Sequence, residues 1–468
     1  MAASGLSELG RAATRTVAAL TALALASAET AHAQRQERAP ALIRDAEIED
    51  TLRAYTNPLL VAAGLQPGDV DLYIVQDPSI NAFVAGGQNI FMHTGLVLEA
   101  QNPNEIIGVM AHETGHIAGG HGPGRAQDIQ RAMGPMLISI GLGVLAIAAG
   151  APQAGAALIS GSQAFAMGDI VRHTQTQEAS ADQAALQYLE ATGQSGRGLI
   201  TFFDREMRPY EFQARRAPPW LMTHPFTSDR VEALRAAVTA ASHHDASETD
   251  DNMRRFRMMQ AKLYGFIESE GRTLARYPLR DQSQPARYAR AIAYFRASKR
   301  TEARAELQTL IDEEPGNPYF QELMGQILFE TGQTAESIPY HRRSLELAPG
   351  QPLLQINLAR ALIESGGRPN IDEAIRLLRQ AAAQEPNNGY AWREMARAYG
   401  ERGDESLAEL ASAEQSFSVG DYSLALNFAE RARRGLPRNT TDYQRANDIV
   451  NFASIEVREQ MERRGRRS

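Results

Sequence analysis

The sequence predicts a mainly α chain in two parts: an α+β N-terminal domain with a small β-hairpin sheet, then an α-solenoid. Three observations carry this expectation. Apolar residues recur at helical spacing over most of the chain. Two short strand-like runs meet at Gly86-Gly87. The C-terminal third repeats every 34 residues, with Pro315 and Pro349, Gly332 and Gly366, and Gly325 and Ala359 in matching places.

Length and composition bound the rest. A chain of 468 residues is too long for one ordinary core, so two or three domains are expected. Hydrophobic residues at 43% suit soluble globular domains, and a net charge of −8 argues against a nucleic-acid partner. There is no Cys, so a bound metal would have nitrogen and oxygen ligands.

Residues 1–33 read as a secretory signal peptide. Arg11 and Arg15 precede the small, apolar Val17–Ala28 run, and Ala31-His32-Ala33 offers a small-x-small cleavage site. Residues 41–66 read as mostly helix, with Ile43, Ile48, Leu52, Tyr55 and Leu59 in phase and Pro58 as a point of kinking. Asp71–Gln76 reads as a strand, and Asn81–Ala85 with Gln88–Met92 as a hairpin. Glu105–Gly119, Asp169–Thr192 and 196–209 are expected helices. Residues 132–168 contain no Asp, Glu, Lys or Arg. Two readings of this stretch stand: a hairpin of short helices, or a membrane-inserted hairpin.

The acidic run Ala246–Asn252 marks a linker, with a connector helix around Met253–Glu270. The boundaries are therefore 34–245 for the first domain, 246–280 for linker and connector, 281–453 for the repeats and 454–468 for a basic tail. A period of 34, with small residues such as Ser337, Ala408 and Ala425 five positions after a turn Gly, resembles tetratricopeptide repeats. Tyr294, Leu328, Leu362 and Tyr399 fill the facing positions. Gly403 to Gly420 is only half a period, so the last units depart from the pattern.

The chemistry is concentrated in Met110–Gly119, which contains His112-Glu113-Thr114-Gly115-His116. Histidines at i and i+4 share one helix face, so both imidazoles can converge on one metal. Glu113 stands beside the first of them, placed to take a proton from an activated water. Downstream, Glu178 and Asp182 also lie at i and i+4, and Glu178 is a candidate third ligand. Asp182 could then hold a ligand imidazole through its other ring nitrogen. His93 and His121 are expected as surface or supporting residues rather than ligands. Thr223-His224-Pro225 is the third motif, with Arg230 six residues beyond His224.

These three motifs in this order resemble the gluzincin family that includes the CAAX-prenyl and HtpX-type proteases. The signal peptide and repeats make the chain most similar to the family's periplasmic members. The resemblance implies a zinc-dependent endopeptidase with one Zn2+ held by His112, His116 and Glu178, Glu113 as general base, and Asp182 in support. It makes His224 a movable residue that stabilises the oxyanion or occupies the water's place in a latent state, and Arg230 a further candidate. It makes the 81–92 hairpin an edge that aligns an extended peptide, and the 132–168 segment a plug or lid over the cleft. The implied partners are unfolded or stalled outer-membrane β-barrel proteins and, through the repeats, the barrel-assembly machinery, in a periplasmic setting peripheral to the outer membrane. A chaperone or adaptor with a largely latent site and a membrane-anchored protease are the competing expectations.

Overall fold

The computed structural model describes residues 41–121, 174–207, 224 and 228–465. The expected signal peptide, the 132–168 segment and the Thr223 and Pro225 of the third motif lie outside the described residues. The fold is mainly α with one small sheet.

The sheet holds β1 (Leu42–Ile43), β2 (Leu72–Val75), β3 (Ala82–Ala85) and β4 (Asn89–His93) in the order β1-β2-β4-β3. β2 and β4 are parallel, and the other two pairings are antiparallel. β3 and β4 form the expected hairpin, and Gly86 and Gly87 turn it with φ of 61° and 101°, where a side chain would be strained. Ile43 is not helical, contrary to the reading of 41–66. It pairs with Ile74, and Asp45 sets the start of α1 (Ala46–Ala62) by accepting from the Glu47 and Ile48 amides. Pro58 sits inside a continuous α1. Both it and Ala54, whose carbonyl it leaves without a helical donor, are exposed, so water can satisfy that carbonyl.

After β4 come α2 (Thr94–Glu99) and α3 (Pro103–Ala118), which carries the two-histidine motif. Asn102 caps α3 by accepting from the Glu105 amide, and Glu105 accepts from the Gln101 amide in return. α4 (174–191) and α5 (Arg197–Met207) pack beside it. α5 approaches closely at Gly198, whose amide donates to Asn104 Oδ1 at 2.7 Å. α6 (Ser228–Ala240) follows. Leu52, Leu59, Ile90, Ile106, Val109, Phe202 and Phe203 belong to the core these elements share.

α7 (Asp250–Ile267) and α8 (Glu270–Arg276) lead into the repeats. α7 is more than a connector. Phe256, Met259 and Leu263 complete the N-terminal core, whereas Met258 enters the first repeat core. Gln260 donates to the carbonyls of Val97 and Ala100 at 2.8 Å. The repeats run as antiparallel pairs: α9 (Gln284–Arg296) with α10 (Arg300–Glu313), α11 (Pro318–Glu330) with α12 (Thr334–Leu347), α13 (Pro352–Ser365) with α14 (Arg368–Gln384), and α15 (Gly389–Arg402) with α16 (Glu405–Ser418). α17 (Tyr422–Gly435) and α18 (Thr441–Gly465) close the array, so much of the expected basic tail is helical. The half period is now explained. Gly403 ends the first helix of a pair, and Gly420 follows the second. At Gly325 a Cβ would come within 2.8 Å of the His341 ring, so glycine lets α11 and α12 meet.

The N-terminal unit docks against the inside of this array through buried charge. Lys262 Nζ, almost fully buried, lies 2.8 Å from Asp45, 3.3 Å from Glu47 and 3.5 Å from Glu322 of α11. Tyr288 of α9 donates to Glu47 at 2.8 Å. Burying three carboxylates around one ammonium is costly unless each has partners, so this joint is specified tightly.

Candidate metal centre

α3 and α4 build the site by crossing at Gly115. A Cβ there would stand 2.7 Å from the Ala181 carbonyl oxygen and 3.0 Å from Ala181 Cα. That close approach brings the i, i+4 face of α3 against the i, i+4 face of α4. His112, His116, Glu178 and His224 converge, all buried, with one donor atom from each within 4.8 Å of all the others. His112 Nε2 lies 3.1 Å from His116 Nε2, 3.3 Å from His224 Nδ1 and 3.4 Å from Glu178 Oε2. Glu178 Oε1 lies 3.4 Å from His116 Nε2, and both Glu178 oxygens lie 3.1 Å from His224 Nδ1.

These separations test whether an ion fits. A tetrahedral cation with ligands at about 2.0–2.1 Å has ligand–ligand edges of about 3.3 Å, and the observed edges cluster around that value. The donor set is three imidazoles and one carboxylate, suited to zinc and other borderline divalent metals.

Further polar groups surround these four side chains. Asp182 Oδ1 lies 2.9 Å from His112 Nδ1. Arg230 of α6 in turn grips Asp182 through Nε at 2.5 Å and Nη2 at 2.8 Å, and reaches Glu178 Oε2 through Nη1 at 3.0 Å. His121 Nδ1 lies 2.9 Å from His116 Nδ1. His93 stands apart, paired with Ser79 and edge-on to Phe83.

Electrostatics fit this picture. Burial opposes charge on His112, but Asp182 and Glu178 outweigh it and carry the imidazole up to about 9. Burial pulls His116 below its ordinary value, towards the neutral form that ligates. Burial also opposes charge on Glu178, but His112, His116 and His224 hold it far below the usual carboxylate range. Asp182 is lowered as Arg230 and His112 overcome its burial.

Glu113 is fully buried, and neither carboxylate oxygen has a hydrogen-bond partner among the described residues. His224 Nε2 lies 3.5 Å from Glu113 Oε1. An ionisable group held this way is costly for a fold and is characteristic of sites that act on a reactant. All seven residues singled out in the sequence therefore meet in one buried cluster. Gly115 was missed: its role depends on Ala181, distant in sequence, although a glycine between two ligand positions was visible. His121 was set aside as a surface or supporting residue, and it supports His116.

A buried His/Glu cluster able to hold a cation, with an unpartnered carboxylate beside it on a helix pair next to a small mixed sheet, is the layout of a hydrolytic metal site. The sequence profile described as Peptidase family M48 matches residues 45–238. The chain is 30% identical to the β-barrel assembly-enhancing protease of Yersinia pestis over 383 residues, which are 80% of this chain and 77% of that one. It is 28% identical to the protein of the same name from Escherichia coli K12, covering 70% and 66% of the two chains. It is 28% identical to metalloprotease LoiP of the same organism, over 37% of this chain and 64% of that one. The chain belongs to peptidase family M48 and is a metalloprotease with a helical-repeat domain.

Proposed function

We propose that this chain is a periplasmic zinc endopeptidase that removes unfolded or stalled outer-membrane β-barrel proteins and rests in a latent state. The proteolytic part rests above all on one observation: four buried donor atoms lie within 4.8 Å of one another, beside a Glu113 carboxylate with no hydrogen-bond partner among the described residues. The client class is proposed from relatives named for β-barrel assembly. Among the described residues no helix is long and apolar enough to cross a membrane.

In this reading His112 and His116 would hold zinc through Nε2, and Glu178 through its carboxylate. Asp182 keeps the proton of His112 on Nδ1, so that Nε2 presents its lone pair, and His121 does the same for His116. The chemistry an ion held there would supply is Lewis-acid polarisation of a carbonyl and acidification of a water. The Glu113 carboxylate takes the water's proton and delivers it to the leaving amine. β3, an edge of the sheet, aligns an extended client by strand addition. The repeats select clients and contact the assembly machinery.

His224 accounts for latency. Its Nδ1 lies against His112 Nε2 and the Glu178 carboxylate and its Nε2 faces Glu113, so it would keep water from these donors and cover the base together. Digestion of casein and of an unfolded porin by the mature chain, with and without a chelator, tests the proposal. Chelator-sensitive cleavage that returns on adding zinc is expected. Cleavage indifferent to the chelator would sink it.

A further inference from the structure

A cleft of about 380 Å3 lies between the start of the N-terminal unit and the inner face of the repeats, within the range of about 300–1,000 Å3 typical of ligand pockets. Four charged residues line it: Arg44, Asp45, Glu322 and Arg360. Three are accounted for. Arg44 pairs with Glu49 at 2.7 Å and Glu385 at 2.8 Å. Asp45 and Glu322 share Lys262, and Asn357 donates to Glu322 at 3.0 Å.

Arg360 is different. Its guanidinium lies 4.9 Å from the Phe329 ring centre and 5.5 Å from that of Tyr390. It touches no carboxylate among the described residues. Aromatic contacts hold a guanidinium by its faces and leave the N–H edges, which suit a carboxylate, without an acidic partner. His341, also lining the cleft, is pulled down to about 4 by burial and then by the Arg360 charge, so it adds no second cation near neutral pH. Phe329, Arg360 and Tyr390 come from α11, α13 and α15, the first helices of three successive pairs, with Arg360 in the middle. A segment laid across these helices meets a ring on each side of the cation.

We infer that this cleft binds an extended polypeptide segment by placing an internal Asp or Glu side chain on Arg360, with the flanking residues against Phe329 and Tyr390. The inference rests on the reading that the repeats select clients, and gives that selection a chemistry. A carboxylate at the middle of the row belongs to a side chain of a continuing segment, because a chain end would leave one ring uncovered.

The test uses the full chain carrying Glu113→Gln, so that bound peptides are not cut. The probes are octapeptides capped at both ends, with alternating apolar and polar residues varied across an array and a central Glu or Gln in each matched pair. At low salt the Glu members should bind about tenfold tighter, with the gap narrowing as salt rises. Arg360→Gln should abolish the Glu preference, and Arg360→Lys should retain part of it. Equal binding of Glu and Gln members by the parent overturns the inference, and so does a Glu preference that survives Arg360→Gln. Preference only for uncapped peptides ending in a free carboxylate also overturns it, by moving the charge to a chain end. If Arg360→Gln fails to fold, the parent's Glu/Gln contrast and Arg360→Lys still decide. Binding is read without catalysis, so a chain that never cleaves casein would defeat the proteolytic reading separately.

Discussion

Gly115 governs how closely the two site helices approach, because its missing side chain is where the Ala181 backbone sits. Gly115→Ala should push α4 away by a few tenths of an ångström and take Glu178 with it. Zinc affinity should fall about 10–100-fold, the scale seen when support of a metal ligand is lost. A competition titration reads this, and unchanged affinity would remove Gly115 from the account. His224→Ala should raise basal casein cleavage while zinc content stays the same. A fall in cleavage at constant zinc would instead make His224 a stabiliser of the transition state. At this scale the sequence was informative because helical spacing places His112 with His116, and Glu178 with Asp182, before any fold is known. What spacing cannot convey is contact between distant segments. Gly115 against Ala181 and Arg360 between two repeat helices belong to that class.

Among the elements, α7 carries the most that local reading could not supply. Its periodicity announced a helix, but not that opposite sides would enter two cores. Ile43 was read as helical together with Ile48 and Leu52, but five and nine residues of separation put it about 140° and about 180° from them around a helix. Its pairing with Ile74 and the Asp45 cap place it in the sheet instead. The parallel pairing of β2 with β4 was likewise invisible, since only the adjacent hairpin has a local turn signal.

The charged joint under α7 makes a pH prediction. Burial raises the Glu322 carboxyl, Lys262 opposes this, and Asp45 and Glu47 add to it, leaving Glu322 at about 7. A carboxyl raised in the fold binds a proton that the unfolded chain releases, so its stabilisation is complete at low pH. It is lost as pH climbs from near 4.5 to near 7. Between those values the parent should lose stability relative to Glu322→Gln, by on the order of 1–3 kcal/mol. Denaturant melts of both chains at pH 5 and pH 7.5 measure it, and parallel curves would reject it.

For the whole molecule, the protease and repeat units are joined by shared packing rather than by a free tether. A chain ending at Asp245 omits Phe256, Met259 and Leu263, whose burial is worth roughly 5–8 kcal/mol, comparable to a domain's entire stability. It should not melt cooperatively. A chain spanning 34–267 should fold and bind zinc, and should lack the association with barrel-assembly machinery proposed for the full chain. Equal recovery of the same envelope partners by this chain and the full one would show that the repeats do not select them. The two-part architecture was legible from the 34-residue period and the change of pattern near residue 246. The fusion of the parts was not, because it depends on which sides of α7 face which core.

The central claim is a metal ion held by His112, His116 and Glu178 with Glu113 as the base. Zinc per chain, measured by elemental analysis alongside casein cleavage in the parent, Glu113→Gln and Glu178→Ala, tests it most directly. The account predicts about one zinc and activity for the parent, about one zinc and cleavage reduced at least about 100-fold for Glu113→Gln, and loss of both for Glu178→Ala. Equal zinc in all three, or full activity in Glu113→Gln, would contradict it.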